Sequence, residues 1–211
     1  MPPTSQRYAS RGGTKLASAL DAFQLDVSGN CCADLGANVG GFTDCLLKRD
    51  AAKVYAVDTG YGVLAWPLRQ DPRVVTLERT NVLNSDPTNI DGFRGCDLVT
   101  VDLGWTRQVR AIPAALKWLA TGCRIVSLIK PHYEADTGAL NGGVLSDDEA
   151  HCTAQRVLDA MPSLGVRVLA QIRSPVRGGG SRKGKGNVEY LALLMREAEV
   201  AGRETDAVSV E

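Results

Sequence analysis

Residues 31–58 read CCADLGANVGGFTDCLLKRDAAKVYAVD, and this stretch decides the fold. Cys31–Leu35 is a short apolar run with Asp34 near its end, the pattern of a buried strand. Gly36, Gly40 and Gly41 supply a tight turn, after which Phe42–Lys48 reads as a helix of about two turns. A second apolar run, Val54–Val57, ends at Asp58. Strand, glycine turn, helix and strand make the opening βαβ unit of a doubly wound fold, whose ligands sit beyond the carboxyl ends of the strands. A dinucleotide fingerprint needs glycine at the first, third and sixth turn positions, so that the backbone can approach a pyrophosphate. Those positions hold Gly36, Asn38 and Gly41, and the middle one fails.

What remains, acid-x-Gly-x-x-x-Gly-Gly from Asp34 to Gly41, resembles motif I of S-adenosylmethionine-dependent methyltransferases. The resemblance implies S-adenosylmethionine as cofactor. It has no phosphate; the glycines let main chain approach its methionine part, and helix amides face its carboxylate. The candidate cofactor residues are Asp34, Gly36, Asn38, Gly40, Gly41, Phe42, Asp58 for the ribose hydroxyls, and Asn81 near the adenine, with Tyr61 and Gly62 as possible wall. The competing reading of this stretch alone is a generic Rossmann turn for another nucleotide.

With 211 residues the chain is long enough for one good core, and we expect a single domain over 1–196 followed by a disordered acidic tail over 197–211. Twenty-four basic residues balance twenty-four acidic ones, so net charge does not announce nucleic acid, although a local patch is compatible with that balance. No apolar run approaches the roughly 18 residues of a membrane span. The polar N-terminus lacks a secretory signal core, and a cytoplasmic location is expected. The six cysteines form no C-x-x-C pair and only two histidines exist, so no metal site is expected and the thiols read as reduced.

Apolar runs alternate with helical patterns. Strands are expected at 31–35, 54–57, 74–77, 98–101, 124–129, 166–172 and 188–194, and helices at 15–23, 42–48, 63–70, 108–120 and 147–161. Ser146 and Glu149 form a capping box for the last helix. This alternation predicts an α/β fold with a mostly parallel seven-stranded sheet covered on both faces. The last strand follows the sixth through a loop without a helix, which suits antiparallel pairing. The arrangement is that of class I methyltransferases.

Four ionisable residues end or open buried elements: Lys15, Asp102, Lys130 and Glu189. Such groups are costly unless paired, and Asp102 and Lys130, at the ends of neighbouring strands, are expected to meet. With the words YASRGGTKL (8–16), DLGANVGGFTD (34–44), VYAVDTGYGVL (54–64), ERTN (78–81), LIKPHYE (128–134) and GNVEYL (186–191), this set resembles the TlyA-type, haemolysin A-like branch of the FtsJ/RrmJ ribosomal RNA methyltransferases. The resemblance runs from about Tyr8 to Leu194. It implies methyl transfer from S-adenosylmethionine to a ribose 2′-hydroxyl of RNA, ribosomal RNA above all, with Lys15, Asp102, Lys130 and Glu189 as the catalytic tetrad. It further implies Lys130 as base oriented by Asp102, and Lys15 and Glu189 orienting the ribose. A free lysine is a cation at neutral pH, so such a base needs burial and a neighbouring cation.

Two absences agree with an oxygen acceptor: the Asn/Asp-Pro-Pro-aromatic word of many base N-methyltransferases is replaced by Asp102-Leu103-Gly104-Trp105, and no cysteine follows a proline. The family's usual word there is Val/Leu-Ser-Phe, and its usual N-terminal S4 RNA-binding domain is expected to be missing before the Tyr8 word. RNA contact is therefore expected from Arg11, from the Arg/Lys-Gly loop 173–187, or through an RNA-delivering partner protein. Rival readings are a non-catalytic cofactor- or RNA-binding module, a haemolysin-like pore former, and a small-molecule O-methyltransferase. The tetrad argues against the first, the lack of any spanning or strongly amphipathic segment against the second, and the lack of a spare lid segment against the third.

Overall fold

The structure, a computed structural model, describes residues 8–179 and 186–197. The elements run α1 (Arg11–Ala22), β1 (Cys31–Leu35), α2 (Gly41–Leu47), β2 (Lys53–Val57), α3 (Trp66–Arg69), β3 (Val74–Leu77), β4 (Cys96–Val101), α4 (Gln108–Leu116), β5 (Leu119–Ile129), α5 (Pro131–Glu134), α6 (Asp147–Asp159), β6 (Val166–Arg173) and β7 (Tyr190–Arg196). One seven-stranded sheet has the order β3-β2-β1-β4-β5-β7-β6. The first five strands are parallel to one another, and β7 lies antiparallel between β5 and β6. The expected fold class is thus the one observed.

Both faces are covered. Leu16 and Leu20 of α1, Phe42 and Leu46 of α2 and Leu68 of α3 pack on one face. Ala111, Ile112 and Ala115 of α4, with Ala154 and Leu158 of α6, pack on the other around the buried Trp118. Gln108 staples α4 to the sheet: its Nε2 donates to Leu128 O at 3.2 Å and its Oε1 accepts from Ser127 Oγ at 2.7 Å.

Several boundaries differ from the sequence expectation. Helix α1 begins at Arg11, not Lys15, because Ser10 caps it (its Oγ accepts from Gly12 N at 3.2 Å) and the Gly12-Gly13 pair, which reads as a loop, lets the helix lie close to Tyr8 and α2. The helix expected over 63–70 shrinks to four residues, and α4 ends at Leu116 so that β5 can start at Leu119. Strand β7 begins at Tyr190, so Glu189 stands just before the last strand and does not open it. The capping box at Ser146 is present in both directions. The acidic tail from 198 and residues 180–185 of the basic loop lie outside the described residues.

Strand order reverses at β1, which is flanked by β2 and β4. In doubly wound sheets the crevice at such a reversal, beyond the carboxyl ends, receives the ligand. The residues that follow β1 and β4 are Gly36 and Asp102.

Candidate active site

A continuous cleft opens over these strand ends. One part, about 200 Å³, is lined by Ser10, Arg11 and Lys15 of the α1 entry, by Gly36–Val39 and by Gly41, Phe42 and Asp102. The other, about 450 Å³, runs between Asp58–Gly60 and Val63 on one wall, Thr80–Leu83 at its end, and Asp102–Thr106 opposite. Gly36, Asn38 and Asp102 line both parts.

The turn after β1 makes the shared floor. Gly36 has φ +94°, and a side chain there would come within 2.5 Å of Asp102 O, so two strand ends approach as only glycine permits. Asn38 N donates to Asp58 Oδ2 at 2.8 Å and Gly60 N to Asp58 Oδ1 at 2.7 Å. Each oxygen of that carboxylate keeps capacity for a further hydrogen bond. Asn81 lines the far end, its Oδ1 accepting from Leu83 N at 3.0 Å.

Not every expected cofactor residue reaches the cleft. Asp34 has zero exposure and lies behind the turn, where Oδ2 accepts from Thr43 N at 2.9 Å and Thr43 Oγ1 at 2.7 Å, holding the start of α2. Burial pushes its carboxyl up to about 7 against those hydrogen bonds. Gly40, at φ +99°, makes room for Leu68 and Leu64. Tyr61 is 70 % exposed, turned outward beneath the Arg79 guanidinium 4.1 Å from its ring centre, while Gly62 N donates to Glu78 Oε1. Asp34, Gly40, Tyr61 and Gly62 therefore shape the walls from outside.

The four ionisable residues converge as two ion pairs. In the strand order, β4, β5 and β7 are neighbours, and each delivers one group at the same end: Asp102 after β4, Lys130 after β5, Glu189 before β7. Ile129 pairs with Tyr190 in the ladder, so the next residues along, Lys130 and Glu189, come side by side. Helix α1 brings Lys15 across the sheet end, where its Nζ bonds Glu189 Oε2. Lys130 Nζ lies 2.5 Å from Asp102 Oδ1 and donates to Leu103 O at 3.1 Å. Glu189 is 3 % exposed; burial raises its carboxyl above the ordinary range, opposed by the charge of Lys15. Lys15 and Asp102 face the cleft, with Glu189 and Lys130 as their partners.

Residues 8–195 match the FtsJ-like methyltransferase family. This chain belongs to that family. It is 40 % identical over 200 residues to the 16S/23S rRNA (cytidine-2′-O)-methyltransferase TlyA of Mycobacterium tuberculosis, covering 94 % of this chain and 72 % of that one. A solved structure described as a candidate hemolysin from Streptococcus thermophilus superposes with a TM-score of 0.85 at 34 % identity, over 93 % of this chain and 70 % of that one. An S-adenosylmethionine-dependent methyltransferase from Mesorhizobium loti, at 15 % identity and TM-score 0.59 over 85 % of this chain and 96 % of that one, shares the fold. Among the described residues no helix is long and apolar enough to cross a membrane.

The FtsJ-like site includes groups the sequence reading did not single out. Trp105, 88 % exposed and in the left-handed region at φ +54°, stacks on Tyr133 with ring centres 4.8 Å apart. Lys130 Nζ lies 5.4 Å from the Tyr133 ring centre, so this aromatic pair stands at the mouth beside the tetrad. His132 packs on Tyr133; burial, then the charges of Lys130 and Lys15, depress its imidazole to about 4, and its buried Nδ1 has no hydrogen-bond partner among the described residues. His132 and Tyr133 both lie in the word 128–134, two and three residues past Lys130. Their adjacency in sequence to a catalytic candidate was the available signal.

Proposed function

We propose that this methyltransferase uses S-adenosylmethionine to methylate a ribose 2′-hydroxyl of RNA, with ribosomal RNA as the acceptor. The observation that carries the reading is the pair of ion pairs, Lys130–Asp102 and Lys15–Glu189, at the strand ends beside the glycine turn. The relative named above is an rRNA 2′-O-methyltransferase, which supports the same acceptor class.

Gly36, Asn38, Gly41 and Phe42 would hold the methionine end, and Asp58 and Asn81 the adenosine end. The cleft fits: it joins a polar mouth to a longer chamber with the Asp58 carboxylate on one wall and Val82 and Leu103 on others. When bound, S-adenosylmethionine supplies a sulfonium-activated methyl group. The protein's task is to hold the hydroxyl in line and accept its proton, because a ribose hydroxyl is a poor nucleophile. Lys130, held by Asp102 and the Leu103 carbonyl, is the base; its proton must first leave through Asp102 or solvent. Lys15, fixed by Glu189, faces the cleft as the donor that orients the ribose. The exposed Trp105 face offers a stacking surface for a base at the entrance. A ribosomal acceptor places this work in the cytoplasm.

The test is transfer of tritium from labelled S-adenosylmethionine to 30S subunits, 50S subunits, whole ribosomes and naked ribosomal RNA from a strain lacking the enzyme, with Lys130→Ala as control. Label in the ribose of one fraction, lost in the variant, is the expected result. Label in a base, or undiminished label in the variant, overturns the reading. No label in any fraction, with cofactor binding intact by calorimetry, points to a different acceptor or to a partner that delivers RNA.

A further inference from the structure

The backbone between β6 and β7 closes on itself directly behind Glu189. Gly178 and Asn187 exchange both main-chain hydrogen bonds, at 2.9 and 2.8 Å, in an antiparallel bridge, and Ser174 N donates to Glu189 O at 2.8 Å. Side chains fasten this neck to the segment before α6. Asn187 Oδ1 accepts from Leu145 N at 3.0 Å, and its Nδ2 donates to Gly143 O at 2.9 Å. Arg177 donates to Gly186 O at 3.2 Å and, together with Arg173, to the Asp147 carboxylate at 2.6–2.9 Å.

Gly178 does not have a positive φ, so no turn geometry demands glycine there. Space does. A Cβ at Gly178 would lie 1.6 Å from Glu189 Oε1, 2.2 Å from its Cδ and 2.8 Å from Oε2. An exposed glutamate would swing aside at little cost. Glu189 is 3 % exposed and its carboxylate is engaged by Lys15, so any displacement falls on that ion pair.

We propose that Gly178 is a positioning residue of the transfer site: its bare Cα is the wall that holds the Glu189 carboxylate against Lys15, and through Lys15 it sets the acceptor ribose. The proposal rests on the tetrad reading above. It makes the neck of the basic loop part of the catalytic apparatus, tied down by Asn187 and by the arginine clamp on Asp147. A carboxylate pushed off Lys15 loses the charge that opposes the effect of burial, so it takes up a proton more readily.

The test compares Gly178→Ala, Glu189→Asp and the double variant. Gly178→Ala should lower kcat by about 10–100-fold, the scale on which small misplacements act, with calorimetric cofactor affinity unchanged and the acidic limb of the pH–kcat profile moved to higher pH. The shorter aspartate clears the added methyl, so adding Gly178→Ala to Glu189→Asp should change kcat by less than about twofold, a coupling that independent sites do not show. Equal losses in both backgrounds, or no loss in the parent, overturn the inference. Thermal melting decides the same question without any acceptor: Gly178→Ala should melt lower than the parent, whereas adding it to Glu189→Asp, itself destabilised by the weakened pair, should lower the melting of that background much less. A double variant that melts as far below Glu189→Asp as Gly178→Ala melts below the parent overturns the proposal. A parent chain that labels no ribose overturns the function reading instead, and the melting comparison still stands.

Discussion

The four ionisable residues differ in how cleanly they can be tested. Glu189 and Lys15 are both buried, so removing either leaves an uncompensated charge at a cost of about 3–5 kcal/mol, enough to confuse lost activity with lost fold. The Lys130–Asp102 pair is more open, with Asp102 at 24 % side-chain exposure, and solvent screens what remains. Lys130→Ala should therefore lower kcat by about 10²–10⁴-fold, the range of a lost general base, while leaving melting within a few degrees and cofactor affinity unchanged. Wild-type kcat in a folded Lys130→Ala protein would remove Lys130 from the mechanism. Trp105→Ala should act elsewhere: one stacked base is worth about 1–3 kcal/mol, so apparent RNA affinity should weaken by roughly 5–150-fold with cofactor affinity untouched. An unchanged KM for RNA would sink the stacking role. The tetrad was legible because each member sits in a recognisable word at a strand or helix end. The Trp105–Tyr133 stack was not, since it joins the loop after β4 to the short helix α5 and no local pattern links them.

At the scale of elements, β1 and β3 coincide with their apolar runs, while α1 shows why other boundaries did not. Propensity disfavours glycine in a helix, so Gly12-Gly13 argues for a loop; tertiary packing overrides it. A Cβ on Gly13 would come 2.4 Å from Tyr8 Cβ and 2.8 Å from Gly41 O, so only a bare backbone lets α1 dock on the start of α2 and carry Lys15 into the site. This opposes two effects at one position. Replacing a helical glycine by alanine ordinarily stabilises by about 0.4–1 kcal/mol, but overpacking costs about 1–3 kcal/mol, and the contact with main-chain oxygen cannot relax by rotamer change. Gly13→Ala should lower the melting temperature, whereas Gly12→Ala, whose nearest contacts are 3.2 and 3.4 Å, should stay close to the parent. A Gly13→Ala protein as stable as the parent would mean that α1 docks with slack.

Across the whole molecule, the strand order gathers polar groups at one end of an apolar sheet, and the titration of those groups couples the site to global stability. Asp34, fully buried, has its carboxyl raised to about 7 against about 3.9 in the unfolded chain. The folded state therefore holds a proton that the unfolded state has lost, and stability present at low pH declines as pH rises toward 7, by up to about 4 kcal/mol in all. Glu189 and Glu134, raised by burial, pull in the same direction. His132 has the opposite sign. Depressed to about 4 against about 6.5 unfolded, it takes up its proton later in the fold, so its contribution is lost as pH falls from about 6.5 to 4. Over that window the two slopes offset one another, with His132, only partly buried, the weaker. Urea unfolding between about pH 4.5 and 7 should show a shallow decline for the parent chain. His132→Gln should make the decline steeper, and Asp34→Asn should reverse it, giving stability that rises with pH. Measurements end near pH 7 because the Cys31 thiol, drawn below the ordinary thiol range by its interaction with Cys96, adds a separate titration at higher pH. Three parallel curves would show that neither buried group titrates with the fold, and would detach the chemistry of this site from the stability of the sheet beneath it.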